Sequence, residues 1–207
     1  MSTRTPSTTL RDVMGLDGTP PRLSESALVL IDFQNAYRTG VMTLEGVDEA
    51  LAAGARLLER ARAAGTPVVH VVHDGGEGSP FDIRAEIGAV CDEVTPLDGE
   101  PVVVKNFPDS FHATELEKTL SGLGFEPGGG KDLVLAGLMA HMCVTFTAQG
   151  AFNRGYRPTV VAEATATRAL ASPDGSVLPA ADLKTAALTT VSDTFGVVVP
   201  TADALGA

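Results

Sequence analysis

Three residues that could together perform covalent catalysis each follow an apolar run of the sequence. Asp32 ends LVLID, Lys105 ends PVVVK, and Cys143 lies shortly after LVLAG, where a helical pattern begins. A cysteine thiol is mostly protonated at neutral pH, whereas a nearby ammonium and the first turn of a helix both favour the thiolate. A carboxylate can accept the thiol proton and later give it to a leaving amine. These residue types therefore predict a cysteine nucleophile that attacks a carbonyl group.

Each of these residues also has a structural explanation when it is considered alone. An aspartate after a strand often caps a helix, a lysine there is often a solvated charge, and a single cysteine is often a small buried hydrophobe. The catalytic interpretation requires all three to lie at one edge of a sheet. The short turn GLMAHMC would then also direct backbone N–H groups toward the carbonyl under attack, as an oxyanion hole.

Six apolar runs predict the strands of that sheet. They are mostly continuous rather than alternating, which is typical of parallel strands covered on both faces. The predicted strands are 27–32, 67–73, 101–105, 132–137, 159–163 and 195–200. Because ligands of parallel α/β sheets bind beyond the carboxyl ends of the strands, this arrangement would bring the three residues together.

Helical patterns separate the strands, so the fold class is predicted to be α/β, with a parallel sheet flanked by helices. The helical patterns cover 46–65, 113–124, 143–155 and 180–194. No domain-sized linker interrupts the alternation. We expect a single domain over residues 25–207, preceded by an arm of residues 1–24 that is rich in Ser, Thr and Pro.

The composition limits the partners and the compartment. The chain has 207 residues, 44% of them hydrophobic, and a formal net charge of −11. So acidic a chain is not expected to bind nucleic acid or a membrane, and no apolar stretch approaches the roughly 20 residues that span a bilayer. Two cysteines do not make a disulfide framework, and the N-terminus lacks the apolar region of a secretory signal. We expect a cytoplasmic, reducing location in which a thiol stays free.

Three blocks of the sequence carry a resemblance to a known family. The chain resembles the isochorismatase-like cysteine hydrolases, which include nicotinamidases and N-carbamoylsarcosine amidase, in LVLIDFQNAY, in PLDGEPVVVKNFPDSFHATEL and in LVLAGLMAHMCV followed by AFNRGYRPTVVAEATATR. The resemblance covers roughly residues 25–200 and implies a six-stranded parallel sheet. It also implies a catalytic triad of Asp32, Lys105 and Cys143.

The same resemblance implies several finer features. The N–H groups of Met139 and Cys143 would form the oxyanion hole, and the peptide bond between Leu138 and Met139 would be cis. The protein would assemble into a homodimer or a higher homo-oligomer. The substrate would be a small molecule.

The histidines of the chain depart from the pattern of the nicotinamidases. Those enzymes bind a metal ion through an Asp-x-His pair and further histidines, and this chain has no such pair. We therefore expect no metal and no other cofactor. His70 and His73 lie three apart in one strand and should point to opposite faces, His70 into the core and His73 toward the pocket. His141 is too close in sequence to Cys143 to face it, and Cys91, on an apolar pattern, is expected in the core.

Side chains near the signature residues are expected to line the substrate pocket. The candidates are Phe33, Gln34, Tyr37, His73, Phe111 and Phe146. Their aromatic character favours a compact, partly apolar or ring-bearing substrate. The expected reaction is hydrolysis of an amide, carbamoyl or lactam C–N bond through a thioester.

Two alternatives stay open from the sequence. One is a vinyl-ether hydrolase of the isochorismatase type, which would use Asp32 and Lys105 without a covalent step. The other is a non-catalytic ligand-binding protein of the same fold. The retained cysteine counts against both.

Overall fold

A six-stranded sheet, with every strand parallel to its neighbours, forms the centre of the molecule. The structure is a computed structural model that describes residues 5–207. The strands are β1 (Ser26–Ile31), β2 (Val68–His73), β3 (Val102–Lys105), β4 (Asp132–Leu138), β5 (Arg157–Ala166), β6 (Leu170–Ala171), β7 (Val177–Leu178) and β8 (Val197–Val199). The sheet has the order β3-β2-β1-β4-β5-β8, and β6 and β7 form a separate antiparallel pair. The predicted six-stranded parallel sheet is confirmed.

The continuous apolar runs form the most buried strands. All six residues of β1 are buried, as are all residues of β4 after the first. The two strands lie side by side in the middle of the sheet, so their faces are covered by helices and their edges by other strands. The packing of these two strands therefore fixes the backbone positions of Asp32 and Met139, the residues that follow them.

Within residues 5–207, five α-helices accompany the sheet: α1 (Leu10–Val13), α2 (Val47–Ala63), α3 (Leu116–Gly122), α4 (Thr145–Asn153) and α5 (Ala180–Thr190). The long helix α2 has Asp48 and Glu49 in its first turn and Arg60 and Arg62 in its last turn, charges that suit the two ends of the helix dipole. Gly65, at a φ of +71°, ends the helical path. Helices α2, α4 and α5 all pack on β5.

The helix that carries the nucleophile candidate begins earlier than its pattern predicts. A π-helical turn, Ala140–Val144, precedes α4 and continues directly into it. Cys143 therefore lies inside a helical segment rather than at its first residue. A second π-helical turn, Val191–Phe195, follows α5.

A close approach between β1 and β4 requires a glycine just before the site. A Cβ at Gly137 would lie 2.4 Å from the carbonyl oxygen of Ile31, its register partner in β1. No side chain fits in that space. The glycine therefore allows the carboxyl ends of the two strands to lie in contact.

The described part of the N-terminal arm lies at the opposite edge of the sheet. The N–H of Leu10 donates to Asp193 Oδ1 at 3.0 Å, and Asp17 pairs with Arg157, the first residue of β5, at 3.1 Å. The arm thus packs where the strands begin, away from their carboxyl ends. Among residues 5–207, no helix is both long and apolar enough to cross a membrane.

Candidate active site

Asp32, Lys105 and Cys143 come together at the carboxyl edge of the sheet. Lys105 Nζ lies 2.8 Å from Asp32 Oδ2 and donates a hydrogen bond to Cys143 Sγ at 3.2 Å. The side chains of Asp32 and Lys105 are completely buried, and Cys143 is 7% exposed. These three residues, called here the Asp–Lys–Cys cluster, bring a carboxylate, an ammonium and a thiol into contact away from solvent.

Two residues of the site have left-handed backbone conformations. The angle φ is +57° at Asp32 and +60° at Met139, and each residue follows the end of a strand. Such conformations cost about 1–3 kcal/mol outside glycine, so the surrounding structure must maintain them. No peptide bond in residues 5–207 is cis, and the expectation of a cis bond between Leu138 and Met139 was wrong. The left-handed Met139 turns the chain there with a trans bond.

The turn after β4 holds the two N–H groups expected to form an oxyanion hole. The N–H of Met139 donates to no backbone acceptor in the part of the chain that the structure describes. Cys143 follows four residues later, within the π-helical turn. The N–H of Met139 is therefore not used by a backbone acceptor among residues 5–207, which an oxyanion hole requires of its donors.

The surroundings of Cys143 favour its protonated thiol over the thiolate. Burial, and then the carboxylate of Asp32, raise the pKa of Cys143 well above its usual range, although Lys105 opposes them. Burial opposes the charge of Lys105, but Asp32 and Cys143 outweigh it and raise the pKa of that ammonium. The protonated thiol is therefore favoured before the proton moves, because Asp32 already supplies the negative charge that Lys105 balances.

Tyr37 and His73, two of the expected pocket residues, lie beside the cluster. His73 Nδ1 is 3.5 Å from Lys105 Nζ. Burial, and then the charges of Asp32 and Cys143, raise the pKa of Tyr37, so its hydroxyl stays protonated. The ring of Phe81 touches both, with centroids 5.3 Å from Tyr37 and 5.1 Å from His73. The three rings form an aromatic wall next to the cluster.

Gln34 and Phe33 lie in the core and not in a pocket. Gln34 Nε2 donates to the carbonyls of His73 and Gly88 at 3.0 and 2.7 Å, and its Oε1 accepts the N–H of His73 at 2.8 Å. Both amide donors are thus used inside the protein, and the side chain is completely buried. The ring of Phe33 packs against Gly54 of α2. The expectation that they line the pocket is corrected by these contacts, which make both residues supports of the site.

Phe111, in the segment between β3 and α3, and Phe146, in the first turn of α4, have different surroundings. Phe111 stacks on Tyr156 at 5.8 Å, with the guanidinium of Arg154 4.7 Å above its ring, beyond the end of α4. Those contacts bury Phe111, which is 5% exposed, and its place in the substrate pocket stays a prediction. Phe146 is 40% exposed and, with Met142, lines an open cavity of about 410 Å³ outside the turn that carries Cys143.

The other histidines and the second cysteine lie outside the cluster. His70 is 2% exposed and its Nε2 lies 2.9 Å from Glu100, as expected of a core histidine. His141 Nδ1 contacts Thr167 Oγ1 at 2.5 Å, and Cys91 is completely buried. Within residues 5–207, no group of three or more His, Cys, Asp or Glu side chains is arranged to hold a metal ion.

Sequence reasoning missed Phe81 and Arg168. Phe81 lies in the irregular segment 74–100, whose shape follows from turns and not from a hydrophobic period. Arg168 lies two residues beyond β5; its Nε is buried without a hydrogen-bond partner in residues 5–207, and its charge acts on Tyr37 and His141. The sequence does hold a sign of Arg168: it is an arginine that follows a strand and has no acidic residue within four positions to pair with.

Known proteins resemble the chain over most of its length. The family model for the isochorismatase domain matches residues 26–203. The secreted isochorismatase effector Isc1 of Verticillium dahliae is 36% identical over 93% of this chain and 97% of its own. A ureidoacrylate amidohydrolase of Stutzerimonas stutzeri is 30% identical over 70% of this chain and 71% of its own. The crystal structure of an isochorismatase from Pseudomonas putida has a TM-score of 0.89 and 39% identity, covering 97% of this chain and 100% of that one.

Proposed function

Because the chain belongs to the isochorismatase family of hydrolases, we propose that it is a cysteine-dependent hydrolase that cleaves a C–N bond of a small molecule. The bond belongs to an amide, carbamoyl or lactam group, and the reaction passes through a thioester on Cys143. Asp32 transfers the protons and Lys105 balances the charge. The N–H groups of Met139 and Cys143 form the oxyanion hole.

The position of Cys143 is the observation that carries this proposal. Its Sγ accepts a hydrogen bond from Lys105 Nζ at 3.2 Å, and Lys105 in turn pairs with Asp32 at 2.8 Å. A vinyl-ether hydrolysis needs an acid and a cation but no thiol. A ligand-binding protein needs no thiol held against a buried ion pair, whose desolvation costs several kcal/mol per ion. The contact of all three groups therefore favours covalent catalysis.

The covalent step begins when the thiol proton moves to Asp32 as sulfur attacks the carbonyl carbon. The carbonyl oxygen becomes an oxyanion and accepts the two N–H groups of the turn. The C–N bond then breaks, the nitrogen takes the proton from Asp32, and the amine or ammonia leaves behind a thioester. Water gives a proton to Asp32 and adds to the thioester carbon. The C–S bond breaks, the acid leaves, and the proton returns to sulfur.

Lys105 lowers the free-energy cost of the proton transfer in a buried site. Before it, the cluster holds a carboxylate, an ammonium and a thiol; after it, a carboxylic acid, an ammonium and a thiolate. The sum of the charges is the same in both states, and Lys105 Nζ is within reach of both the donor and the acceptor. In a medium of low dielectric constant, moving a charge between two neighbours of one cation costs far less than creating a new charge.

The proposal also includes the class of substrate, the cofactor requirement and the cellular location. The relative named as a ureidoacrylate amidohydrolase supports a C–N bond as the target. The aromatic wall of Tyr37, His73 and Phe81 supports a compact substrate. The reaction uses no metal or other cofactor. Free thiols at Cys91 and Cys143 support a reducing, cytoplasmic location.

Assembly into a homo-oligomer also belongs to the proposal. Strand β3 is at the edge of the sheet and exposes Val102 and Val104, which are 48% and 43% accessible. An apolar sheet edge of this kind is suited to burial against a second subunit. Light scattering at micromolar concentration should give a mass of at least twice 21.3 kDa, and a monomeric mass would contradict this part.

The function is tested with a panel of amides, carbamoyl compounds and lactams, with release of amine or ammonia as the readout. Once a substrate is found, Cys143→Ala should lower kcat by at least about 10³-fold, because the nucleophile is lost. Cys143→Ser should do nearly the same, since a hydroxyl has a much higher pKa than a thiol. Cys91→Ala, the matched control, should change kcat by less than about 2-fold. Mass spectrometry of the quenched reaction should find the acyl group on Cys143.

Two results would replace the proposal with an alternative. Near-normal turnover by Cys143→Ala together with an inactive Asp32→Asn would favour the vinyl-ether mechanism, in which the acid acts without the thiol. Binding of compounds from the panel without any turnover would favour a ligand-binding protein.

A further inference from the structure

The ammonium of Lys105 has three N–H groups to satisfy and no access to water. Its side chain is completely buried, so each donor needs a partner inside the protein. Two partners belong to the cluster: Asp32 Oδ2, in an ion-pair contact at 2.8 Å, and Cys143 Sγ, in a hydrogen bond at 3.2 Å. The third is His73 Nδ1 at 3.5 Å. No other acceptor in residues 5–207 bonds to this ammonium.

The position of His73 is fixed by its backbone and by its ring. His73 is the register partner of Lys105 on the adjacent parallel strand, so the two side chains lie on the same face. Gln34 binds both the N–H and the carbonyl of His73. Phe81 packs edge-on against the imidazole, with an interplanar angle of 90°. These contacts hold Nδ1 toward Lys105.

We propose that His73 is a positioning residue of this site. Its neutral imidazole accepts the third N–H of Lys105 at Nδ1, carries its own proton at Nε2, and so directs the other two N–H groups at Asp32 and Cys143. This role goes beyond the proposed function, although its kinetic consequences rest on that function. His73 acts through Lys105 and does not have to touch the substrate.

The charges that face His73 agree with a neutral ring. They come from three elements: Lys105 of β3, Asp32 after β1, and Asp74, the next residue in the chain. Burial, and then Lys105, lower the pKa of His73, and the two carboxylates only partly oppose them. Protonation of Nδ1 would place an N–H against the ammonium and leave Lys105 with two acceptors. The site should therefore lose its third contact when the medium becomes acidic enough to charge His73.

The tautomer of His73 is measured directly by nitrogen-15 NMR of the imidazole rings. The chain has four histidines, and substitution of each in turn assigns its signals. At neutral pH the His73 ring should carry its proton on Nε2, with Nδ1 unprotonated. His112, an exposed histidine outside the cluster, is the comparison ring in the same spectra. A proton on Nδ1 of His73 would overturn the proposal, and this measurement needs no substrate.

Two variants of His73 distinguish a role in positioning Lys105 from a role in folding. His73→Leu removes the acceptor and should lower kcat about 10-fold or more with KM changed less than about 3-fold, because a hydrogen bond to a charged group is lost. His73→Asn places an amide oxygen near the position of Nδ1 and should recover most of that loss. It should also remove one acidic titration from the pH profile of kcat/KM, since the amide does not ionise. His112→Asn is the matched control and should leave kcat and the profile unchanged.

The proposal is wrong if His73→Leu keeps the wild-type kcat, or if His73→Asn is as slow as His73→Leu while both melt at the wild-type temperature. If Cys143→Ala instead retains activity, the proposed function fails, and the NMR tautomer still decides the role of His73. The two failures are therefore distinguishable.

Discussion

Asp32 has two opposing effects on its neighbour Cys143. Its negative charge, together with burial, raises the pKa of the thiol. Its carboxylate is also the base to which the thiol proton can move. The first effect keeps sulfur protonated and less open to oxidation in the absence of substrate, because the thiolate is the reactive form. The second makes a thiolate when the carbonyl carbon is in place to receive it.

Replacement of Asp32 by Asn should separate these effects. Asparagine carries no charge, while Lys105 remains beside the sulfur, so the pKa of Cys143 should fall and more thiolate should be present at neutral pH. Turnover should nevertheless fall by at least about 10²-fold, because the group that returns the proton to the leaving nitrogen is gone. Ultraviolet absorbance of the thiolate, followed against pH in a Cys91→Ala background, measures the first effect.

A matched control is Asp92→Asn, which removes a charge next to Cys91 instead of Cys143. It should leave the thiolate titration of Cys143 and the turnover unchanged. An unchanged or higher pKa of Cys143 in the Asp32→Asn variant would mean that Asp32 does not control the thiol.

At the scale of elements, the contact between β1 and β4 sets the distance between base and nucleophile. Gly137→Ala would place a methyl group 2.4 Å from the carbonyl oxygen of Ile31, immediately before Asp32. We expect a loss of about 3 kcal/mol in the free energy of unfolding, measured with urea, because overpacking a buried contact forces the backbones apart. kcat should fall as well, since the two strand ends move relative to each other.

Gly122→Ala is the control for that substitution. Gly122 lies in α3, and a Cβ there meets nothing within 4 Å. It should be neutral or slightly stabilising, because alanine favours a helix more than glycine does. Equal stability of the two variants would contradict the close approach at Gly137.

A second junction joins α2, β2 and the chain before β3 through Glu100. Its carboxylate pairs with Arg62 at 2.8 Å and with His70 at 2.9 Å, and it accepts the N–H of Leu97 at 3.0 Å. Burial opposes the charge of Glu100, but Arg62, Leu97 and His70 outweigh it and lower its pKa to about 2. The charged form is therefore the one that the folded protein stabilises.

This junction should make the protein sensitive to acid. Because the pKa of Glu100 is lower when folded than the roughly 4.3 of an unfolded chain, its stabilisation is complete above that value and is lost as pH falls toward 2. Glu100→Gln should lower the free energy of unfolding by about 2 kcal/mol at pH 7. Urea unfolding at several pH values should find the difference from wild type shrinking below pH of about 4. A difference independent of pH would mean that packing, and not charge, is responsible.

The elements were predictable where one hydrophobic pattern decides them. The strands that lead to Asp32 and Lys105 lie within one residue of the predicted ends, because continuous apolar runs fix their length. The burial of the edge strand β3 was not predictable in the same way, since Val102 and Val104 are exposed. The π-helical turn after the left-handed Met139 packs against α5 and β5, contacts that no local pattern encodes. The buried position of Gln34 could not be predicted from a local pattern either, because its partners His73 and Gly88 are 39 and 54 residues away.

For the whole molecule, the N-terminal arm should contribute to stability and not to chemistry. It packs at the edge where the strands begin, through Leu10 on Asp193 and Asp17 on Arg157. Deletion of residues 1–18 should lower Tm by about 4 °C, the effect of losing about 1–2 kcal/mol from a domain of this size. kcat/KM should stay within about 2-fold of the full chain. Loss of activity without loss of Tm would place the arm at the site instead.

Strand β3, the short outer strand of the sheet, affects the order in which activity and secondary structure are lost on heating. It has four residues, ends in Lys105 and, in the part of the chain that the structure describes, pairs with β2 alone. Outer strands open locally at a small fraction of the free energy needed for global unfolding. In a dissociated subunit, hydrogen–deuterium exchange should therefore label the amides of β3 well before those of β1 and β4, whereas burial of β3 against a second subunit should reduce that difference. On heating past dissociation, turnover should disappear several degrees before the far-ultraviolet circular dichroism changes, because the ammonium detaches from a sheet that is otherwise still folded.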